Sequence, residues 1–318
     1  LGLAEDKVGI QDDFFRLGGN SILAIRLVSK INHRYLSHLK IADIFVYKSI
    51  EQLASRIEQT RNGYQTIVKL NNTTKEKNLF MIHPGSGGSE VYASLANELV
   101  PKYSCYGIDS YNLYHEKKIN NLNILAKYYL SFIEEIMFKT SQEEYHFLGW
   151  SLGGLIALEI ASILEQRGIT SIKVYLLDTM IHDNYSITLI ENNNMDQFKI
   201  KYRAFAASQT YDKTYTERII ANMEVENELI KQQISYKVSH TKVILFKANV
   251  EDKRFEKDKS GIMLENYVLS LKYNNLDKVV QNKANIKSII IANAHHGNIL
   301  DYKDQLLNHI VYSNKEPL

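Results

Sequence analysis

The sequence has one cysteine, Cys105, which excludes an intramolecular disulfide framework and fits a reducing compartment. It also lacks a strong excess of either charge: 38 Lys and Arg offset 36 Asp and Glu, a net charge of +2. The lysines lie scattered among acids, so the basic footprint of a nucleic-acid binder is missing. Long apolar runs are missing too. The nearest to one, residues 147–164, carries Glu159 and several glycines and runs into EQRG, so a buried strand, turn and helix are expected there and no membrane span. The opening LGLAEDKVGIQDDFF has neither the basic n-region nor the apolar h-region of a secretory signal, and a cytoplasmic location is the expectation. Internal repeats and low-complexity tracts are absent.

What is present is the balance of an ordinary globular protein, with 45% apolar and 23% charged residues. A chain of 318 residues exceeds the roughly 100 to 200 residues of one domain, so two unequal domains are expected. From Ile22 to Gln59 apolar residues recur at helical spacing, as in ILAIRLVSKI and IEQLASRI, which predicts a small helical bundle. Arg61, Asn62 and Gly63 break that pattern and set the first boundary near residue 62. Beyond it LFMIH, YSCYGI, YHFLGW, IKVYLLD, TKVILFKA and IKSIIIAN read as strands between amphipathic stretches, which predicts a parallel α/β sheet. Residues 182–240 interrupt the alternation with helical patches such as ERIIANMEVENELI. They are too long for an ordinary connection and read as an insertion, or lid, over the sheet.

Two serines stand out. In DDFFRLGGNSILAIRL, Ser21 follows a glycine pair and an asparagine and opens a helical run. Helix N-termini favour negative charge, so a phosphodiester on this hydroxyl would be well placed; an ordinary N-cap serine is the other reading.

GWSLGG, residues 149–154, satisfies G-x-S-x-G between the strand-like YHFLG and the helix-like LIALEIASILEQRG. A turn this sharp requires small residues at Gly149 and Gly153 and thrusts the Ser151 hydroxyl outward. A serine at its free pKa needs a base, and the base an orienting acid, in the chain order serine, acid, histidine. Asp178 ends the buried run VYLLD on the expected edge and is the first choice for the acid. Glu251 and Asp252, after VILFKA, are the alternatives. The base belongs after the last strand, where His295 and His296 are adjacent; an adjacent pair could also bind metal, but no further ligand cluster accompanies it. Oxyanion donors are expected from the amide of Leu152 and, in the glycine-rich MIHPGSGGS, from that of Gly85. That loop lacks the Lys-Ser/Thr ending of a phosphate-binding P-loop, and His83 reads as a stabiliser of the loop.

The LGG-x-S core with its preceding DDFF closely resembles the phosphopantetheine attachment motif of peptidyl carrier proteins, and the Gly-Gly-Asn-Ser form resembles those of peptide synthetases. The resemblance covers residues 1 to about 60 and implies a 4'-phosphopantetheine arm on Ser21. Residues 66–318, with LFMIHPGSGG, GWSLGG, LLD, a lid and a late histidine in order, resemble the thioesterase domains that end nonribosomal peptide synthetases. The family pattern H-x-x-aliphatic-aliphatic selects His296 over His295, since from His295 it would put Asn298 in an apolar position. Where the family usually has a glycine, a small polar residue and a following aromatic around its histidine, this chain has Ala294, His295 and Gly297.

The resemblance implies an all-α carrier domain (1–62), a linker and thioesterase start (63–76), and an α/β-hydrolase domain (77–318) with a lid over about 182–240. It implies the triad Ser151, Asp178 and His296, and release of a carrier-bound acyl or peptidyl thioester by hydrolysis or macrocyclisation. Upstream condensation and adenylation domains and a phosphopantetheinyl transferase are the implied partners. An editing thioesterase acting on misloaded carriers, and a degenerate acyl-binding module, are the competing readings.

Overall fold

The computed structural model describes residues 2–3, 7–35, 39, 41–60, 64–75, 77–208, 213–253 and 258–312. The expected boundary near residue 62 lies outside them.

The N-terminal part is helical: α1 (Ser21–Tyr35), α2 (Ile41–Val46) and α3 (Ile50–Thr60). Phe14, Ala24, Val28, Leu39, Ile44 and Leu53 form its core, the inward stripe that the apolar spacing requires. Arg56 of α3 is buried and its Nε donates to Asp43 of α2 at 2.8 Å. Phe45 packs on the core of the second part, and Asn72 Nδ2 donates to Val46 O at 2.9 Å.

The second part is built on β1 (Ile67–Lys69), β2 (Lys77–Ile82), then α4 (Ala93–Glu98), β3 (Tyr103–Ile108), α5 (Tyr111–Tyr114), α6 (Leu122–Thr140), β4 (Tyr145–Trp150), α7 (Leu152–Gln166) and β5 (Ile172–Leu177). Helices α8 (Asn184–Glu191), α9 (Met195–Ser208) and α10 (Lys213–Ile230) follow before β6 (Lys242–Ala248), α11 (Lys259–Ser270), β7 (Ile286–Ile291) and α12 (Lys303–Ile310). The strands form one sheet in the order β1-β3-β2-β4-β5-β6-β7.

The six strands read from the sequence run parallel. A seventh strand that the sequence reading did not include, β1, pairs antiparallel with β3 at one edge. Its three residues are too few to give the period-2 signal on which strand prediction rests. Residues 147–164 are the end of β4, the turn at Ser151 and most of α7. Among the described residues no helix is long and apolar enough to cross a membrane.

The sheet is covered on both faces, as a parallel sheet must be. On one face α6 and α7 pack through Tyr129, Ile133, Leu155 and Ile160 on Phe80, Phe147 and Val174. On the other lie Tyr92, Leu95 and Leu306 against Leu79, Leu148 and Tyr175.

Candidate active site

Parallel strands deliver their C-terminal ends to one edge, and in such sheets sites form there. Ser151 stands directly after β4 in the left-handed region at φ 54°. The strain is held from several sides. Ser151 N donates to Leu177 O at 3.1 Å, Thr179 Oγ1 donates to Ser151 O at 3.2 Å, and Trp150 N donates to Tyr92 Oη at 2.9 Å. The glycines are steric necessities. A Cβ on Gly149 would lie 2.3 Å from the Gly153 carbonyl carbon and oxygen, and one on Gly153 would lie 2.3 Å from Ile82 O.

Asp178, directly after β5, is also left-handed at φ 45°. Its Oδ2 lies 2.8 Å from His296 Nδ1, and its Oδ1 accepts from Ala248 N at 3.2 Å and Asn274 Nδ2 at 3.3 Å. Burial by itself would raise this carboxyl. The His296 hydrogen bond and charge, the Ala248 N–H and the Lys247 cation together hold it below the usual carboxylate range. Lys247 is buried, and its Nζ donates to Asn274 Oδ1 at 2.7 Å and Val268 O at 2.8 Å.

His296 opens a short 3-10 turn after β7, and its ring centroid lies 5.8 Å from that of Trp150. His295, the alternative base, turns instead to Asp252, with Nδ1 3.3 Å from Oδ2. The two runner-up residues thus pair with each other, while Glu251 is exposed.

Leu152 is the first residue of α7, so its N–H has no acceptor within the helix. A Cβ on Gly85 would lie 3.9 Å from Leu152 Cβ, so the two residues expected to supply oxyanion donors are neighbours. His83 is buried, with Nδ1 2.8 Å from Pro84 O and Nε2 2.9 Å from Tyr129 Oη. Burial lowers its pKa to about 4, so it is a neutral strut of the loop at neutral pH.

Ser151, Asp178 and His296 all line one cavity of about 420 Å³. Its other walls are largely apolar, including Met180, Ile190, Phe198 and Ile230 from the segment after β5 and Leu264 and Val268 from α11.

At the other candidate position Asn20 is the helix cap: its Oδ1 accepts from Leu23 N at 2.9 Å. Ser21 is therefore the first helical residue rather than the cap, and it is exposed. A hydroxyl not consumed in capping and open to solvent suits attachment of a phosphopantetheine arm. Sequence reasoning did not find Asn20, Lys247 or Asn274, since a polar residue near a turn carries no signal of what it will touch.

Residues 1–57 match the phosphopantetheine attachment site family and residues 77–223 the thioesterase domain family. Among curated proteins the chain is similar to malpibaldin synthetase of Mortierella alpina, 33% identical over 53% of this chain and 3% of that protein. It is also similar to a dimodular nonribosomal peptide synthase of Bacillus subtilis, 32% identical over 51% of this chain and 7% of that protein. The chain thus spans a small fraction of the length of these relatives. Among solved structures, a four-domain nonribosomal peptide synthetase, holo-AB3403 bound to AMP and glycine, shares the fold over 98% of this chain and 25% of its own, with a TM-score of 0.60 and 19% identity. The surfactin thioesterase domain SrfTE covers 80% of this chain and 97% of its own, with a TM-score of 0.51 and 14% identity.

Proposed function

Because the chain joins a phosphopantetheine carrier segment to an α/β-hydrolase thioesterase domain of the nonribosomal peptide synthetase kind, we propose that it releases the chain held on its own carrier. The observation that carries this reading is the presence in one polypeptide of an exposed, non-capping Ser21 and a Ser151 sharing a cavity with the His296–Asp178 pair.

The phosphopantetheine group supplies a thiol that holds an acyl or peptidyl chain as a thioester. At the hydrolase site His296 takes the proton of the Ser151 hydroxyl as its oxygen attacks the thioester carbonyl. The oxygen of that carbonyl gains negative charge against the amides of Leu152 and Gly85. When the carbon–sulfur bond breaks, His296 returns the proton to the departing sulfur, leaving an ester on Ser151. Water, or a hydroxyl or amine of the bound chain, then attacks this ester with His296 again as base, giving a free acid or a ring. Asp178 holds the imidazole in the tautomer that faces Ser151.

We read α8–α10 as the lid, and the apolar walls that α8, α9 and α11 give the cavity support an acyl or peptidyl chain with a substantial apolar portion. Tethering both partners in one chain gives an effective concentration on the order of millimolar, so weak docking suffices. Upstream condensation and adenylation domains would supply the chain, and a phosphopantetheinyl transferase would modify Ser21.

The test is intact mass spectrometry after an acyl-phosphopantetheine has been loaded by a transferase. Wild type is expected to shed its acyl group, Ser151→Ala to keep it, and Ser21→Ala not to load. Equal retention by wild type and Ser151→Ala across several acyl groups, or loading of Ser21→Ala, contradicts the reading.

A further inference from the structure

The loop after β2 that carries Gly85 is held partly by its own contacts and partly from α10. Ser86 sits in the left-handed region at φ 59°, a conformation that costs a non-glycine residue energy and persists where its surroundings enforce it. Its N–H donates not to the loop but to Glu226 Oε2, 2.7 Å away on α10. Two residues on, Gly88 N donates to Tyr215 Oη at 3.1 Å and to Glu90 Oε1 at 3.1 Å, and Tyr215 Oη donates to that same Glu90 oxygen. Tyr215, Asn222 and Glu226 lie seven and four residues apart, on one stripe of the helix. Asn222 Nδ2 donates to Glu226 Oε1 at 2.8 Å. One face of α10 thus grips the loop at two backbone N–H groups on either side of Gly87.

We propose that Glu226 is a positioning residue for chain release: with Tyr215 it ties the loop bearing the Gly85 amide to α10, so that the oxyanion pocket takes its working shape only while the inserted helices are seated. This rests on the reading of Ser151, Leu152 and Gly85 given above. It makes the insertion part of the catalytic apparatus as well as a wall of the substrate cavity.

The chemistry of the carboxyl fits that place. A Cβ on Gly85 would lie 3.5 Å from Glu226 Oε2, so a full negative charge there would oppose the charge that develops on the substrate oxygen. Glu226 is buried, and burial pushes its pKa up to about 8, against the pull of the Ser86 and Asn222 hydrogen bonds and the Lys118 cation. At neutral pH the carboxyl is therefore uncharged. Asn222 Oδ1 has no other partner among the described residues, and with the amide turned over it accepts the proton of Glu226 while Oε2 still accepts from Ser86. Among the described residues, Lys118, after α5, and Tyr129 of α6 are titratable groups that act on this carboxyl or are acted on by it.

The test uses the full chain and the octanoyl thioester of N-acetylcysteamine as probe, with kcat and KM measured from pH 6 to 9.5. Wild-type kcat is expected to fall above about pH 8 as Glu226 ionises, and Glu226→Gln to level that fall. Glu226→Leu is expected to lower kcat by on the order of 10- to 100-fold with little change in KM, since a small misplacement of a catalytic group has effects of that size. Tyr215→Phe is expected to act in the same direction and more weakly. Amide hydrogen exchange at Ser86 and Gly88 is expected to quicken in Glu226→Leu. An alkaline fall identical in wild type and Glu226→Gln overturns the role of Glu226, even if Glu226→Leu fails to fold. So does wild-type kcat in a folded Glu226→Leu beside an inactive Ser151→Ala. Turnover by Ser151→Ala at the wild-type rate would overturn the site reading itself, and this role with it.

Discussion

Asp252 Oδ2 lies 3.3 Å from His295 Nδ1, beside the shorter contact of 2.8 Å between Asp178 and His296. Two adjacent histidines are thus matched to acids that follow two neighbouring strands, and of the two histidines only His296 lines the cavity that Ser151 also lines. Asp178→Asn is expected to lower kcat by about 10³- to 10⁴-fold, because the imidazole loses both its tautomer and its counter-charge. Asp252→Asn is expected to cost at most about tenfold, through the placement of the histidine turn. Thioester hydrolysis by the two variants checks this; equal losses would put the orienting acid in doubt.

The glycines around Ser151 differ in how much a methyl group would cost. A Cβ at Gly153 meets backbone oxygens at 2.3 Å from Ile82 and 2.6 Å from His83, whereas one at Gly87 meets nothing nearer than 3.8 Å. Gly153→Ala is expected to destabilise by about 3 kcal/mol or more, since backbone cannot step aside, and Gly87→Ala by less than about 1 kcal/mol. Thermal unfolding reads this as a drop in Tm of roughly 6–12 °C for the first and little for the second.

Two sets of buried groups tilt stability with pH in opposite directions, over overlapping windows. Burial lowers His83, His146 and His182 from 6.5 to about 4. Between those values the unfolded chain takes up protons that the folded one refuses, so stability declines as pH drops from about 6.5 to 4. Glu226 runs the other way, raised from 4.5 to about 8. The folded chain keeps its proton while the unfolded chain releases it, so that contribution is lost as pH rises from 4.5 to 8. Tm measured across pH should show Glu226→Gln gaining on wild type toward pH 8, and His83→Gln with a shallower acid slope. Parallel curves would contradict both assignments.

Capping and attachment are separable in the carrier segment. Asn20→Ala removes the acceptor for Leu23 N and is expected to cost about 1 kcal/mol of stability there, while loading on Ser21 persists. Ser21→Ala is expected to leave stability within about 0.5 kcal/mol and to abolish loading. Circular dichroism melts of the chain and intact mass after transferase treatment give the two readouts.

The sequence by itself determined what short-range sterics dictate. GWSLGG requires an elbow because only glycine fits at positions 149 and 153, and the spacing of apolar runs requires helices first and a largely parallel sheet after. Only the tertiary structure decided which acid meets which histidine, because Asp178 and His296 lie 118 positions apart and a local pattern around the histidines carries no information about a distant acid. It also decided that Asn20 and not Ser21 caps α1, a choice between neighbouring side chains of similar capping strength. Glu226 was the least legible. Within ERIIANMEVENELI it is one acid among several on a helix, and a glutamate there reads as a solvated face until the fold brings Ser86, 140 positions away, against it. Periodicity carries information about burial; the partner of a buried polar group is set by the packing of distant elements, where an unpaired N–H would be too costly to leave.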